Sequence, residues 1–190
     1  AEGVTALAIG DPYERIGYLC AYGPDIDEDG SNELWIFTAG SSELGVFYGG
    51  SHLTSGGLDL SEDADVTYSF SSADPEPVSL SLIGDWNGDG TSEIAIGLDS
   101  ESSTQAGQVW IYDPTVDADI YTTDGAGYTA SSDLLATIEG VSAEGMANYG
   151  QAVSVLPGDL DADGVIDMVV GDYGYSDSTG AVYITFGPTD

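Results

Sequence analysis

Asp25, Asp27, Asp29, Ser31 and Glu33 stand at alternate positions of a nine-residue run, Asp25-Ile-Asp-Glu-Asp-Gly-Ser-Asn-Glu33. The same spacing returns as Asp85, Asn87, Asp89, Thr91 and Glu93, and again as Asp159, Asp161, Asp163, Val165 and Asp167. Gly30, Gly90 and Gly164 hold the sixth position of the three copies. Oxygen-bearing side chains at the first, third, fifth and ninth positions let a short loop wrap a hard cation such as calcium. The glycine permits the sharp bend, and the seventh residue can add its backbone carbonyl. The chemistry of these runs is therefore ligation, and about three calcium ions per chain are expected.

The opening residues of each run also match the start of an EF-hand loop. That loop needs a bidentate Glu at its twelfth position and a helix running out of it. Here the twelfth residues are Ile36, Ile96 and Val170, and the segments that follow are Leu34-Trp-Ile-Phe37, Ile94-Ala-Ile-Gly97 and Met168-Val-Val-Gly171. Short β-branched or aromatic runs closed by glycine or a polar residue read as strands, so each loop exits into a sheet. Asp and Gly are ordinary turn residues, and a bare hairpin turn is the competing reading. A plain turn has no need of a further acidic residue at a fixed offset in every copy, which favours the metal.

The composition narrows the partners. Thirty-four acidic residues face Arg15, no lysine and His52, for a formal net charge of −33. Even three divalent cations leave such a chain strongly negative, so it repels phosphate backbones and anionic head groups. Nucleic acid and direct membrane insertion are excluded as expectations; cations, neutral glycans and basic protein patches remain. With 42% hydrophobic residues the chain can still build a core. Cys20 has no cysteine to pair with and is expected to be a buried, inert thiol. Arg15 is expected to pair with a carboxylate at a junction between units, and the lone His52 to be solvent-exposed. The opening at Ala1 without methionine fits a processed secreted chain or a piece of a longer one, and loops of this kind suit millimolar calcium. An extracellular or cell-surface location is expected.

Around each loop the apolar segments keep one order. Gly150-Gln-Ala-Val-Ser-Val-Leu156 precedes the third loop, and Gly180-Ala-Val-Tyr-Ile-Thr-Phe-Gly187 closes its unit. The first unit runs from Gly17 to Gly23, through the loop to Leu34–Gly40, then Leu44–Gly49 and Val66–Phe70. The second runs from Val78 to Gly84, then Ile94–Gly97, Gly107–Tyr112 and Asp133–Ile138. Four short strands per unit without helical periodicity predict an antiparallel meander.

This pattern resembles the FG-GAP repeat, the blade of integrin α-subunit β-propellers. The residues that carry the resemblance are Ile16-Gly17 and Tyr149-Gly150 in the place of Phe-Gly, the Asp-rich loops, Val170-Gly-Asp172 after the second strand, and Gly180-Ala-Val-Tyr183 opening the third. The second unit departs from it with Pro77-Val78, and Gly40-Ser41 and Gly97-Leu98 are degraded remnants of Gly-Ala-Pro. The resemblance implies an all-β fold, a β-propeller segment of about three four-stranded antiparallel blades, with calcium in the hairpin between first and second strands. Residues 1–12 are expected to supply an orphan outer strand to a neighbouring blade, residues 13–72 to form blade 1, 73–140 blade 2, and 141–190 blade 3 without its outer strand.

Propellers close with about four to eight blades, so this segment is incomplete as a lone chain. Its expected partners are other copies of itself or the remaining blades of a longer chain. The expected function is an extracellular calcium-binding module for adhesion or recognition of a protein or glycan ligand, with calcium structural. The alternatives are a self-assembling filament or oligomer subunit completed by blade and strand exchange, and an accessory domain of a secreted enzyme. Loops 51–65 and 113–128, with Tyr121 and Tyr128, are candidate recognition segments. Catalysis is not expected: nucleophilic and Schiff-base chemistry lack their residues, and the regularly spaced carboxylates serve the metal.

Overall fold

The computed structural model describes residues 6–8, 13, 15–50, 56–59, 63–70, 76–99, 107–113, 134–140, 149–155, 159–175 and 179–188. Among them the chain forms strands grouped into three consecutive antiparallel sheets and one small parallel pair. The parallel pair joins β1 (Ala6–Ala8) to β5 (Gly56–Leu58). The first sheet contains β2 (Ile16–Tyr22), β3 (Leu34–Thr38), β4 (Glu43–Phe47) and β6 (Val66–Ser69), side by side in that order. The second contains β7 (Glu76–Gly84), β8 (Glu93–Asp99), β9 (Gln108–Tyr112) and β10 (Leu134–Glu139), and the third β11 (Tyr149–Val155), β12 (Met168–Asp172) and β13 (Ala181–Thr185). The protein is all-β: three propeller-like meanders, the first two of four strands, which do not close into a ring among the described residues.

Register explains how the blades stack. In blade 1, Leu19, Phe37, Leu44 and Tyr68 lie opposite one another across the four strands, as do Ala21, Trp35, Val46 and Val66. The period of two puts these residues on one face. That face packs against Leu80, Leu82, Ile94, Ile96, Leu98 and Tyr112 of blade 2 in a single core. Tyr68 meets Tyr112 edge to face across the junction, their ring centroids 6.1 Å apart. The opposite face of blade 2 presents Ile83, Ala95, Val109 and Ile111 to Tyr149, Met168 and Val170 of blade 3 in a second core. Blade 2 is thus covered on both sides, and β8 is buried from Glu93 to Leu98. A nearly continuous apolar run is what such a strand requires.

The backbones of blades 2 and 3 touch. Ser79 Oγ donates to the Gly150 carbonyl at 2.6 Å, and a Cβ on Gly97 would stand 1.9 Å from that carbonyl oxygen. Gly17 and Gly150 adopt φ of 79° and 88°, and the register shifts beside each of them. The glycine of the Phe-Gly-like pair therefore makes a β-bulge in the first strand of its blade. In β7 the register also shifts, between Pro77 and Ser79, although no glycine is there.

Several expectations change at the margins. Cys20 is exposed, not buried. Leu19 and Ala21 take the inward positions of β2, and the strand period sends Cys20 outward with Tyr18 and Tyr22. The strand near the start of the chain forms at Ala6–Ala8, and its partner, β5, lies inside the polar segment 51–65, where no strand was expected. Among the described residues blade 3 has one covered face: Val182, Ile184 and Phe186 are 73%, 52% and 52% exposed.

Candidate metal centres

Each acidic run joins the first strand of a blade to its second: β2 to β3, β7 to β8, and β11 to β12. Gly30, Gly90 and Gly164 have φ of 91°, 98° and 94°, so the sixth position needs the left-handed conformation that glycine adopts without penalty. The fourth position needs it too: Glu28, Gly88 and Ala162 have φ of 60°, 80° and 65°. Blade 2 meets that demand with glycine, and blades 1 and 3 hold side-chain residues there at a steric cost.

The carboxylates build the turns through amide hydrogen bonds. In loop 1, Asp25 accepts from the amides of Asp29 and Gly30 at 3.1 and 2.9 Å, and Asp29 accepts from Ser31 at 2.7 Å. Loop 3 repeats this closely: Asp159 accepts from Asp163 and Gly164 at 2.9 and 2.7 Å, and Asp163 from Val165 at 2.8 Å. In loop 2, Asp85 Oδ2 accepts from Gly90 at 3.0 Å, while the Asp89 amide donates to Asn87 Oδ1 at 2.9 Å. Asp85 Oδ1 is buried there without a hydrogen-bond partner. The Thr91 hydroxyl donates to Asp89 and, with the Thr91 amide, holds that carboxyl below its ordinary range.

The ninth residue is different in kind from the others. Glu33, Glu93 and Asp167 are fully buried at the foot of their loops, while the fifth-position carboxylates Asp29, Asp89 and Asp163 are exposed. Each accepts the amide of the second loop residue: Ile26 to Glu33 at 2.9 Å, Trp86 to Glu93 at 2.5 Å, Leu160 to Asp167 at 2.5 Å. Glu33 and Asp167 then use their other oxygen to accept from Gly49 and Gly187, at 2.6 and 3.3 Å, just beyond the third strand of the same blade. The other oxygen of Glu93, Oε1, is buried with no partner. Burial pushes the Glu93 carboxyl up to about 7 against the lowering effect of the Trp86 amide, with the Asp89 and Asp113 charges adding to the rise. Burial also raises Glu33, opposed by its bonds to Gly49 and Ile26. In loop 3, desolvation and the neighbouring Asp163 charge raise Asp161.

Three groups of carboxylate oxygens come within 4.8 Å of one another: Asp25 with Asp27 and Asp29, Asp85 with Asp89 and Glu93, and Asp159 with Asp161 and Asp167. Glu33 and Asp163 stand outside these groups. Ser31, Thr91 and Val165 lie where the seventh position was expected, and each donates its amide to the fifth-position carboxylate. An array of three convergent oxygens suits a hard cation. The buried, partnerless oxygens of Asp85 and Glu93 fit that use, because a buried anion without a donor is costly unless a positive charge meets it.

Sequence reasoning missed the amide donors Gly49 and Gly187 and the strain at Glu28 and Ala162. Aligning the ends of the third strands would have exposed the first signal, since Gly49 and Gly187 recur at one offset from β4 and β13. His52, Tyr121 and Tyr128 lie outside the described residues, and of loops 51–65 and 113–128 only 56–59, 63–65 and 113 are described. Among the described residues, no helix is long and apolar enough to cross a membrane. Compared with protein-family models and with curated proteins, the chain matches none.

Proposed function

We propose that the protein is a calcium-stapled FG-GAP-like propeller module of an extracellular or cell-surface protein, acting in adhesion or ligand recognition. The observation that carries this reading is that each of three successive blades gathers three carboxylates in the turn between its first and second strands, though not from the same loop positions. Asp25, Asp27 and Asp29 would hold the first ion, with Glu33 bracing the loop from beneath. Asp85, Asp89 and Glu93 would hold the second, joined by the Asn87 side-chain oxygen. Asp159, Asp161 and Asp167 would hold the third. A bound cation supplies compensating charge to these carboxylates, and its role is structural: it ties the turn between first and second strands and offsets part of the self-repulsion of a −33 chain. Rigid blade edges then present the connecting loops to a ligand. A glycan array probed in calcium at high salt tests the recognition role, with saturable binding lost on chelation as the expected result. Silence on the array in calcium counts against it.

A second reading is favoured by the outer side of blade 3. Val182 and Ile184 are exposed on β13 and Phe186 just beyond it, and β13 is an edge strand of its sheet among the described residues. An apolar face with an open strand edge is suited to a further blade or to another copy of the chain. Light scattering separates the two readings: a self-assembling subunit gives large species that grow with concentration, and a recognition module gives a small defined one.

A further inference from the structure

The three loops do not offer their ninth carboxylate equally. Glu33 and Asp167 have both oxygens engaged by backbone amides, the second of them from Gly49 and Gly187. Phe47, Tyr112 and Thr185 are register equivalents, paired with Leu34, Ile94 and Met168 at the starts of the second strands. Counting two residues on from each gives Gly49, Pro114 and Gly187. Proline has no backbone N–H. The residue at that count in blade 2 therefore has no N–H to give, and among the described residues Glu93 Oε1 is fully buried without a partner beside Asp85 and Asp89.

We propose that the middle loop is the tight calcium site of the chain, because Glu93 Oε1 is buried beside Asp85 and Asp89 with no amide on it, where the flanking loops commit the equivalent oxygen to a glycine amide. The inference rests on calcium being the ligand of these loops, as proposed above, and adds an order among them. Charge counting predicts the reverse order. Loop 1 carries Asp25, Asp27, Glu28, Asp29 and Glu33, loop 3 four acids, and loop 2 only Asp85, Asp89 and Glu93. The extra acids of loops 1 and 3 are mostly exposed, however, and water and salt screen exposed charges strongly. A fully buried carboxylate oxygen is screened far less, and in loop 2 the cation removes an unmet need for a partner instead of competing with an amide.

Calorimetric titration of the metal-free full chain with calcium chloride tests this. One ion is expected to bind well ahead of the others. Glu93→Gln should abolish that first step, and Glu33→Gln and Asp167→Asn should leave it in place. Pro114→Gly, which introduces an N–H at the residue that counts with Gly49 and Gly187, should weaken it by about tenfold or more. Terbium luminescence sensitised through Trp86 assigns the step to loop 2, with Trp86→Phe as the control. Three steps of equal affinity, or a tight step that survives Glu93→Gln or is unmoved by Pro114→Gly, overturns the proposal while leaving calcium as the ligand. No calcium binding by any variant or by the parent overturns both. Circular dichroism of each variant identifies one that has failed to fold, and Asp85→Asn then takes its place, with loss of the tight step as the same expected result and its survival as the contrary one.

Discussion

Blades 2 and 3 are built on one plan and end in different surroundings. In blade 2 both faces are covered, and every residue of β8 from Glu93 to Leu98 is buried. In blade 3, β12 alternates between buried and half-buried residues, and β13 alternates half-buried Tyr183 with exposed Val182 and Ile184. Their loops differ in parallel. Gly187 supplies an amide to Asp167, and Glu93 Oε1 is buried without a donor. The comparison teaches that a strand's own apolarity does not say which of its faces is covered, and that an acidic motif does not say which of its oxygens is free. Both are decided by residues far away along the chain.

The largest effect should come from the metal. Calcium held at the proposed sites with dissociation constants of roughly 0.1–1 mM would contribute about 1.4–2.7 kcal/mol per site at ~10 mM, on the order of 4–8 kcal/mol for three. Thermal unfolding with calcium and with chelator should differ by roughly 10 °C or more. If the order of sites is right, Glu93→Gln in blade 2 removes more of that difference than Asp167→Asn in blade 3. Next is the core. Ile111→Ala, in the junction between blades 2 and 3, should cost ~2–5 kcal/mol in urea unfolding. Ile184→Ala on the bare side of blade 3 should stay within about 0.5 kcal/mol. Equal losses at the two positions would mean that the outer side of blade 3 is covered in solution.

A pH dependence should follow, and it belongs to blade 2. The Glu93 carboxyl is raised from its ordinary 4.5 to about 7. In the metal-free fold it holds its proton more tightly than the unfolded chain does. Its contribution to stability is complete below pH ~4.5 and is lost as pH rises through about 7, on the order of 3 kcal/mol. Melting of the chelated protein at several pH values should show this decline, and Glu93→Gln should remove it. The smallest effect concerns the fourth loop position. Ala162→Gly in blade 3 should raise stability by about 0.5–1 kcal/mol, and Gly88→Ala in blade 2 should lower it by about 1 kcal/mol, since both residues have positive φ.

Much of the architecture was legible in the sequence because it is local. The loops announce themselves by spacing, and Ile94-Ala-Ile and Met168-Val-Val read as strands by composition and by the turn residues around them. The four-strand meander followed from counting such runs between turns. Cys20 was misread because a seven-residue apolar stretch does not reveal that one of its faces is bare. The β1–β5 pairing was missed because Gly56-Gly-Leu58 has poor strand propensity and gains order only from its partner. At the sites, the spacing identified the acidic positions but not their separate roles. Glu33 and Asp167 are buried and held by Gly49 and Gly187, which lie well beyond the motif, whereas Glu93 keeps one oxygen unmet. The left-handed backbone at Glu28 and Ala162 was hidden because only Gly88 marks that position with a glycine.

Divalent cations in the turns between first and second strands are what the proposed function requires. Equilibrium dialysis of the metal-free chain against radioactive calcium, at an ionic strength high enough to suppress diffuse binding to an acidic surface, tests it most directly. Saturation at about three ions per chain is the expected result, one for each acidic group among the described residues. Uptake that rises without saturating and vanishes as salt is added would contradict it.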